Sequence, residues 1–162
     1  MFDPVRICAI LNEEGVEYVV VGGFAAVVRG SSLPTRDIDV VPSRSTENLD
    51  RLGRALRRMG AQIRTDGDPV PAPLDGPFLA NVPLMLNLVT EFGEMDLTFV
   101  PAGRTGGYDG WRVAATMEEL SEGLSVVVAS LDDIIDSKRA TNRPKDQMAL
   151  PYLESLRDEL GG

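Results

Sequence analysis

The sequence predicts an α/β (α+β) domain: a mixed sheet with helices mainly on one face and further helices closing the C-terminus. Three observations predict it. Apolar β-branched runs such as Tyr18–Val21 and Leu124–Ala129 alternate with stretches of helical apolar spacing such as Leu49, Leu52, Leu56 and Met59. The order of elements is helix, strand, helix, strand, helix, a mixed group of strands, then two helices, which suits helices layered on a sheet. The 162 residues, 43% of them hydrophobic, fit one compact core, so residues 1–162 are expected to form a single minimal domain.

Pro4 to Glu14 reads as the first helix, with Asp3 as N-cap, Pro4 at the first helical position and Gly15 as its end. Tyr18–Val21 is a buried strand, broken by Gly22 and Gly23 before a short helix from Phe24 to Val28. Residues 30–36 form a loop. Asp37 to Val41 alternates as a strand, with Ile38 and Val40 on one face and Asp37 and Asp39 on the other. Ser45 or Thr46 caps a helix that runs to about Met59. Ala61 to Arg64 is a short strand. Thr65 to Pro83 carries five prolines and two glycines and is expected to be a long irregular loop. Leu84–Thr90 and Glu94–Val100 are strands joined by the turn Glu91-Phe92-Gly93. Residues 103–110 read as a loop, Met117–Leu120 as a helical turn and Leu124–Ala129 as a strand. Ser130 caps a helix from Leu131 to about Thr141. Asn142-Arg143-Pro144 is a break, and Lys145 to Leu160 is the last helix, with a kink or restart expected at Pro151.

Composition removes several kinds of chemistry. The chain has no histidine, which excludes Ser-His-Asp and Cys-His catalysis. Its one cysteine, Cys8, cannot form an internal disulfide and has apolar neighbours, which predicts burial and suits a reducing cytoplasm. No apolar run reaches the roughly 18 residues needed to span a membrane, and no secretory signal is visible. The net charge of -9 disfavours broad binding to a phosphate backbone, although a local basic patch could still meet a nucleotide or an RNA end.

The chemistry that remains is carried by carboxylates. Asp37 and Asp39 stand at i and i+2 of one strand, so both project from one face. Carboxylates this close repel each other and stay ionised only with a compensating cation. Mg²⁺ or Mn²⁺, which prefer oxygen ligands, fit that need. Asp96 lies in a second apolar-flanked strand and would complete a three-carboxylate set if the strands are neighbours. Such sets hold two metals about 4 Å apart for in-line phosphoryl displacement, with Asp96 helping to activate the incoming hydroxyl. Glu94 shares its face and is the fallback ligand. Gly22 and Gly23, between a strand and a helix, would let backbone approach a phosphate; a tight turn without a ligand is the other reading. Trp111 could stack a base or simply pack.

Val21-Gly22-Gly23, then thirteen residues, then Asp37-Ile38-Asp39 resembles the signature of the DNA polymerase beta-type nucleotidyltransferase superfamily. Thr35-Arg36-Asp37-Ile38-Asp39-Val40 is similar to the same stretch of its minimal members. Leu88-Val89-Thr90 with Gly93-Glu94-Met95-Asp96-Leu97 resembles the strand pair that carries the third carboxylate. Leu131-Asp132-Asp133-Ile134-Ile135, Ser137-Lys138-Arg139-Ala140 and Arg143-Pro144-Lys145-Asp146 resemble the tail of small bacterial proteins near the AbiEii-type toxin branch.

The resemblance implies a nucleotidyltransferase fold and transfer of a nucleoside monophosphate from a nucleoside triphosphate to a hydroxyl of an RNA or protein acceptor. It implies Gly22 and Gly23 at the triphosphate, Asp37, Asp39 and Asp96 as catalytic metal ligands, and Lys138 and Asp146 at the nucleotide. The large extra domains of full AbiEii toxins, tRNA-modifying and antibiotic-modifying enzymes are not expected here. Two other readings stay open: a nucleotide-binding module without turnover, and a toxin-antitoxin component with a cognate partner protein. Lys138 also lies near a helix C-terminus, where a cation is favourable without any ligand.

Overall fold

A computed structural model describes residues 1–161. Among them, seven strands form one mixed sheet in the order β3-β4-β5-β2-β1-β7-β6. The strands are β1 (Tyr18–Val21), β2 (Asp37–Pro42), β3 (Gln62–Ile63), β4 (Met85–Thr90), β5 (Gly93–Thr98), β6 (Thr116–Ser121) and β7 (Leu124–Val128). The helices are α1 (Pro4–Glu13), α2 (Gly22–Val28), α3 (Thr46–Arg58), α4 (Gly76–Ala80), α5 (Gly107–Arg112), α6 (Leu131–Thr141) and α7 (Pro144–Glu159).

The central strands are the apolar ones. All four residues of β1 are buried, as a strand inside the sheet requires. It pairs antiparallel with β2 and parallel with β7. β2 in turn runs parallel to β5, and that pairing sets Asp39 directly opposite Asp96 and Asp37 opposite Glu94. Val19, Val20, Ile38, Val40, Leu97 and the α3 residues Leu52 and Leu56 are fully buried in the core. Local chemistry sets the helix starts. Asp3 accepts from the Arg6 N–H at 3.0 Å, and Ser45 accepts from the Asn48 N–H at 3.2 Å. Asn48 is itself buried, and its amide bonds both backbone groups of Glu17 and the Ser43 carbonyl, which ties α3 to the entry of β1.

Four expectations are corrected. Met117–Leu120 is not a helical turn but part of β6, paired antiparallel with β7 from Thr116↔Val128 to Ser121↔Leu124. The residues Met-Glu-Glu-Leu favour a helix, and the pairing overrides that preference. The Pro-rich stretch 65–83 contains α4, whose N-cap Asp75 accepts from the Phe78 N–H at 2.9 Å and whose Pro77 sits in the first turn. The stretch 103–110 likewise runs into α5, which carries Trp111. The last helix starts at Pro144 and runs through Pro151 to Glu159 without interruption.

Candidate active site

Asp37, Asp39 and Asp96 converge: one carboxylate oxygen from each lies within 4.8 Å of the others. Strand register is the cause, because Asp37 and Asp39 share a face of β2 and Asp96 is Asp39's partner on β5. Glu94, the fallback ligand, lies on the same face opposite Asp37 but outside this group.

Gly22 makes the arrangement possible. Its φ is +71°, and a Cβ there would collide with Asp39 Oδ2. Only glycine allows both the backbone conformation and the close approach of the carboxylate. Gly23 faces Thr35, whose Oγ1 would lie 3.2 Å from an added Cβ. The Thr35 hydroxyl lies 3.1 Å from the Asp37 carbonyl oxygen, which braces the entry to β2.

The cluster is electrostatically strained. Burial, then the neighbouring Asp37 and Asp96 carboxylates, push the Asp39 carboxyl up to about 8. Burial also raises the Asp96 carboxyl, against the opposing pull of Arg64. Arg64 Nη2 lies 2.9 Å from Asp96 Oδ1, yet that buried oxygen accepts no aligned hydrogen bond. The charge of Lys145 offsets this crowding only in part. Three crowded oxygen-donor side chains, with one oxygen imperfectly partnered, fit a hard divalent cation.

These carboxylates form one wall of a cleft of about 580 Å³. The first turn of α2, with Gly22 and Gly23, and the 31–35 loop form a second wall, and α6 and α7 a third, with Lys138, Arg143 and Lys145 lining it. α6 is positioned by Ser130, which caps the Asp133 N–H, and by Arg104, whose Nη1 bonds both Asp133 oxygens at 3.1 and 3.0 Å. Asn142, in the left-handed conformation with φ 51°, turns the chain from α6 into α7.

Asp146 does not face the cleft. Its side chain is wholly buried beneath the basic wall. Oδ2 accepts from Thr141 Oγ1 at 2.6 Å, from Arg143 Nε at 2.8 Å and from the Arg143 N–H at 3.1 Å. Oδ1 lies 3.6 Å from Lys138 Nζ. Burial would raise the Asp146 carboxyl, but these donors outweigh it and hold it well below the usual carboxylate range. Asp146 thus fixes the two residues on either side of the α6–α7 break. The spacing Arg143-Pro144-Lys145-Asp146, an acid at the third position of a Pro-started helix, is the signal for such a cap.

Arg64 was not found from sequence. It follows an edge strand of two residues, and nothing local shows that it reaches Asp96 across β4. Trp111 is 1% exposed and packs in the core, so it is no base-stacking surface. Cys8 is fully buried, and burial raises its thiol to about 11.

No protein-family model matches the chain, and no curated protein matches it. Solved structures do. The lincosamide antibiotic adenylyltransferase LnuA, in its lincomycin-bound form, superposes with a TM-score of 0.62 at 15% identity, over 93% of this chain and 94% of that one. A Thermotoga maritima protein described as a candidate nucleotidyltransferase, TM1012, superposes with a TM-score of 0.51 at 16% identity, over 99% and 96%. At these identities the likeness defines the fold, and the fold is that of the nucleotidyltransferases.

Proposed function

We propose that this protein is a metal-dependent nucleotidyltransferase, moving a nucleoside monophosphate from a nucleoside triphosphate to an acceptor hydroxyl. The observation that carries the reading is the convergence of Asp37, Asp39 and Asp96 beside the Gly22 turn, in a cleft whose far wall is basic. Asp37, Asp39 and Asp96 would hold Mg²⁺ or Mn²⁺, which when bound offsets the charge of the triphosphate and of the transferring phosphoryl group.

The chain's own residues supply the rest. The Gly22-Gly23 backbone and Lys138, Arg143 and Lys145 hold the phosphates, and Asp146 keeps Lys138 and Arg143 in place. The acceptor oxygen bonds to the α-phosphorus, and pyrophosphate leaves with the bridging oxygen. Asp96, the third carboxylate of the cluster, takes the acceptor's proton.

The sequence resemblance of the tail, from Leu131 to Asp146, supports a place near the AbiEii-type branch, and with it a cytoplasmic protein acting on RNA or protein, partnered in a toxin-antitoxin pair. The likeness to a lincosamide adenylyltransferase supports a small hydroxyl-bearing acceptor as well. Incubation with α-³²P-labelled triphosphates and Mg²⁺ or Mn²⁺ tests the reading, with total RNA, the protein itself and a lincosamide as acceptors. Label transferred by the wild type, and lost with EDTA or in Asp39→Asn, is the expected result. Wild-type protein that binds triphosphate yet labels none of them, and releases no pyrophosphate, favours a binding module.

A further inference from the structure

Arg64 touches the third carboxylate, and the transfer just described does not use it. Its backbone N–H donates to the Asn87 carbonyl at 3.0 Å, and Nη1 donates to the Leu88 carbonyl at 3.2 Å. From that tether the guanidinium reaches two acids on one face of β5. Nη2 lies 2.9 Å from Asp96 Oδ1, and Nη1 lies 3.7 Å from Glu94 Oε2. Asp96 belongs to the carboxylate cluster and its side chain is 9% exposed; Glu94 stands outside the cluster with its side chain 45% exposed.

We propose that Arg64 is the resident counter-ion of Asp96, and that a divalent cation entering the Asp37/Asp39/Asp96 cluster displaces it toward Glu94. The inference rests on the metal-dependent reading above. A guanidinium and a metal ion compete for the same oxygen, and as like charges they repel each other in a partly desolvated site. Within ion-pair distance of the cluster, Arg64 is the one cation among the described residues. Its displacement is small because Glu94 already lies within ion-pair distance and the Leu88 carbonyl keeps hold of the guanidinium. Arg64 is therefore a positioning residue. It keeps Asp96 oriented without metal and sets metal affinity below that of the bare carboxylates.

The test uses the full chain with Mn²⁺ as the sole probe. Free Mn²⁺ is read by electron paramagnetic resonance, and Tm is read in EDTA and at saturating Mn²⁺. Arg64→Gln keeps a donor for the Leu88 carbonyl but removes the charge. It should bind Mn²⁺ roughly three- to tenfold more tightly, the factor expected for loss of a partly buried competing ion pair. Its Tm should fall in EDTA and recover with Mn²⁺, whereas a merely structural role would lower Tm equally in both. Arg64→Lys, which keeps the charge, should stay near wild type. Glu94→Gln should weaken Mn²⁺ binding more in the wild type than in the Arg64→Gln background. If Arg64→Gln is unfolded in EDTA, Mn²⁺ should restore the fold, and failure to do so overturns the proposal. Unchanged or weaker Mn²⁺ binding by Arg64→Gln, with normal binding by the wild type, overturns the counter-ion role alone. A wild type that binds no Mn²⁺ overturns the metal reading with it.

Discussion

Asp39 sits where burial, Asp37 and Asp96 all oppose its ionisation, which leads to two expectations. With its folded carboxyl at about 8 and the ordinary value at 3.8, the metal-free native state holds a proton that the unfolded chain has released. Stability of the metal-free protein should therefore fall as pH rises through that window. Asp39→Asn has no carboxyl at that position to titrate. Its Tm in EDTA should exceed that of the wild type by a few degrees at neutral pH, with a gap that grows from pH 5 to pH 8. Thermal melts across that range decide it; a lower Tm for the variant at every pH would mean that the carboxylate has a stabilising partner. Loading the site should also expel this proton. Mn²⁺ binding at pH 7 should release protons, measured as a dependence of the calorimetric heat on the buffer's ionisation enthalpy. At Gly22 the expectation is steric. Gly22→Ala places a methyl group against Asp39 Oδ2 at a φ of +71°. It should cost about 1–2 kcal/mol of stability in urea melts and weaken Mn²⁺ binding.

The α6–α7 junction makes the same argument at the level of an element. One buried carboxylate, Asp146, collects Thr141, Arg143 and Lys138 and so shapes the basic wall of the cleft. Asp146→Asn removes the charge while keeping an oxygen acceptor. It should lower stability at neutral pH by about 2–3 kcal/mol and weaken triphosphate binding even where the fold persists. Because the folded carboxyl lies below its ordinary range, its contribution is present above pH 4 and is lost as pH falls toward the folded value. Denaturation curves for wild type and variant should therefore converge in acid. α6 was legible from sequence, since the Ser130 cap and the Thr141 end agree with the helix as found; the buried capping role of Asp146 was not, because the resemblance set that residue at the nucleotide. β6 was not, because Met117–Leu120 favours a helix when read alone and becomes a strand only through pairing with β7. α4 and α5 were missed for a related reason. Gly and Pro read as loop, although Asp75 before Gly76-Pro77 also fits a capped, Pro-started helix.

Across the whole molecule, the sheet order brings distant acids together. β1 and β2 are neighbours in the sheet, and β5 inserts between β2 and β4, so residues 37, 39 and 96 meet. The carboxylates themselves were legible because their i, i+2 spacing and apolar neighbours survive in the linear sequence. Arg64 was not, since its partner lies two strands away and only the fold supplies it. The net charge of -9 spreads over the chain, while Lys138, Arg143 and Lys145 gather at the cleft, so positive charge is concentrated on that wall. No helix among the described residues is long and apolar enough to cross a membrane. The central claim is that Asp37, Asp39 and Asp96 form a metal site that holds a triphosphate. Titration calorimetry with a non-hydrolysable nucleoside triphosphate, in Mn²⁺ and in EDTA, tests it most directly. Binding that requires Mn²⁺ in the wild type and is lost in Asp39→Asn is the predicted result. Equal affinity with Mn²⁺ and with EDTA, unchanged in the variant, would contradict it.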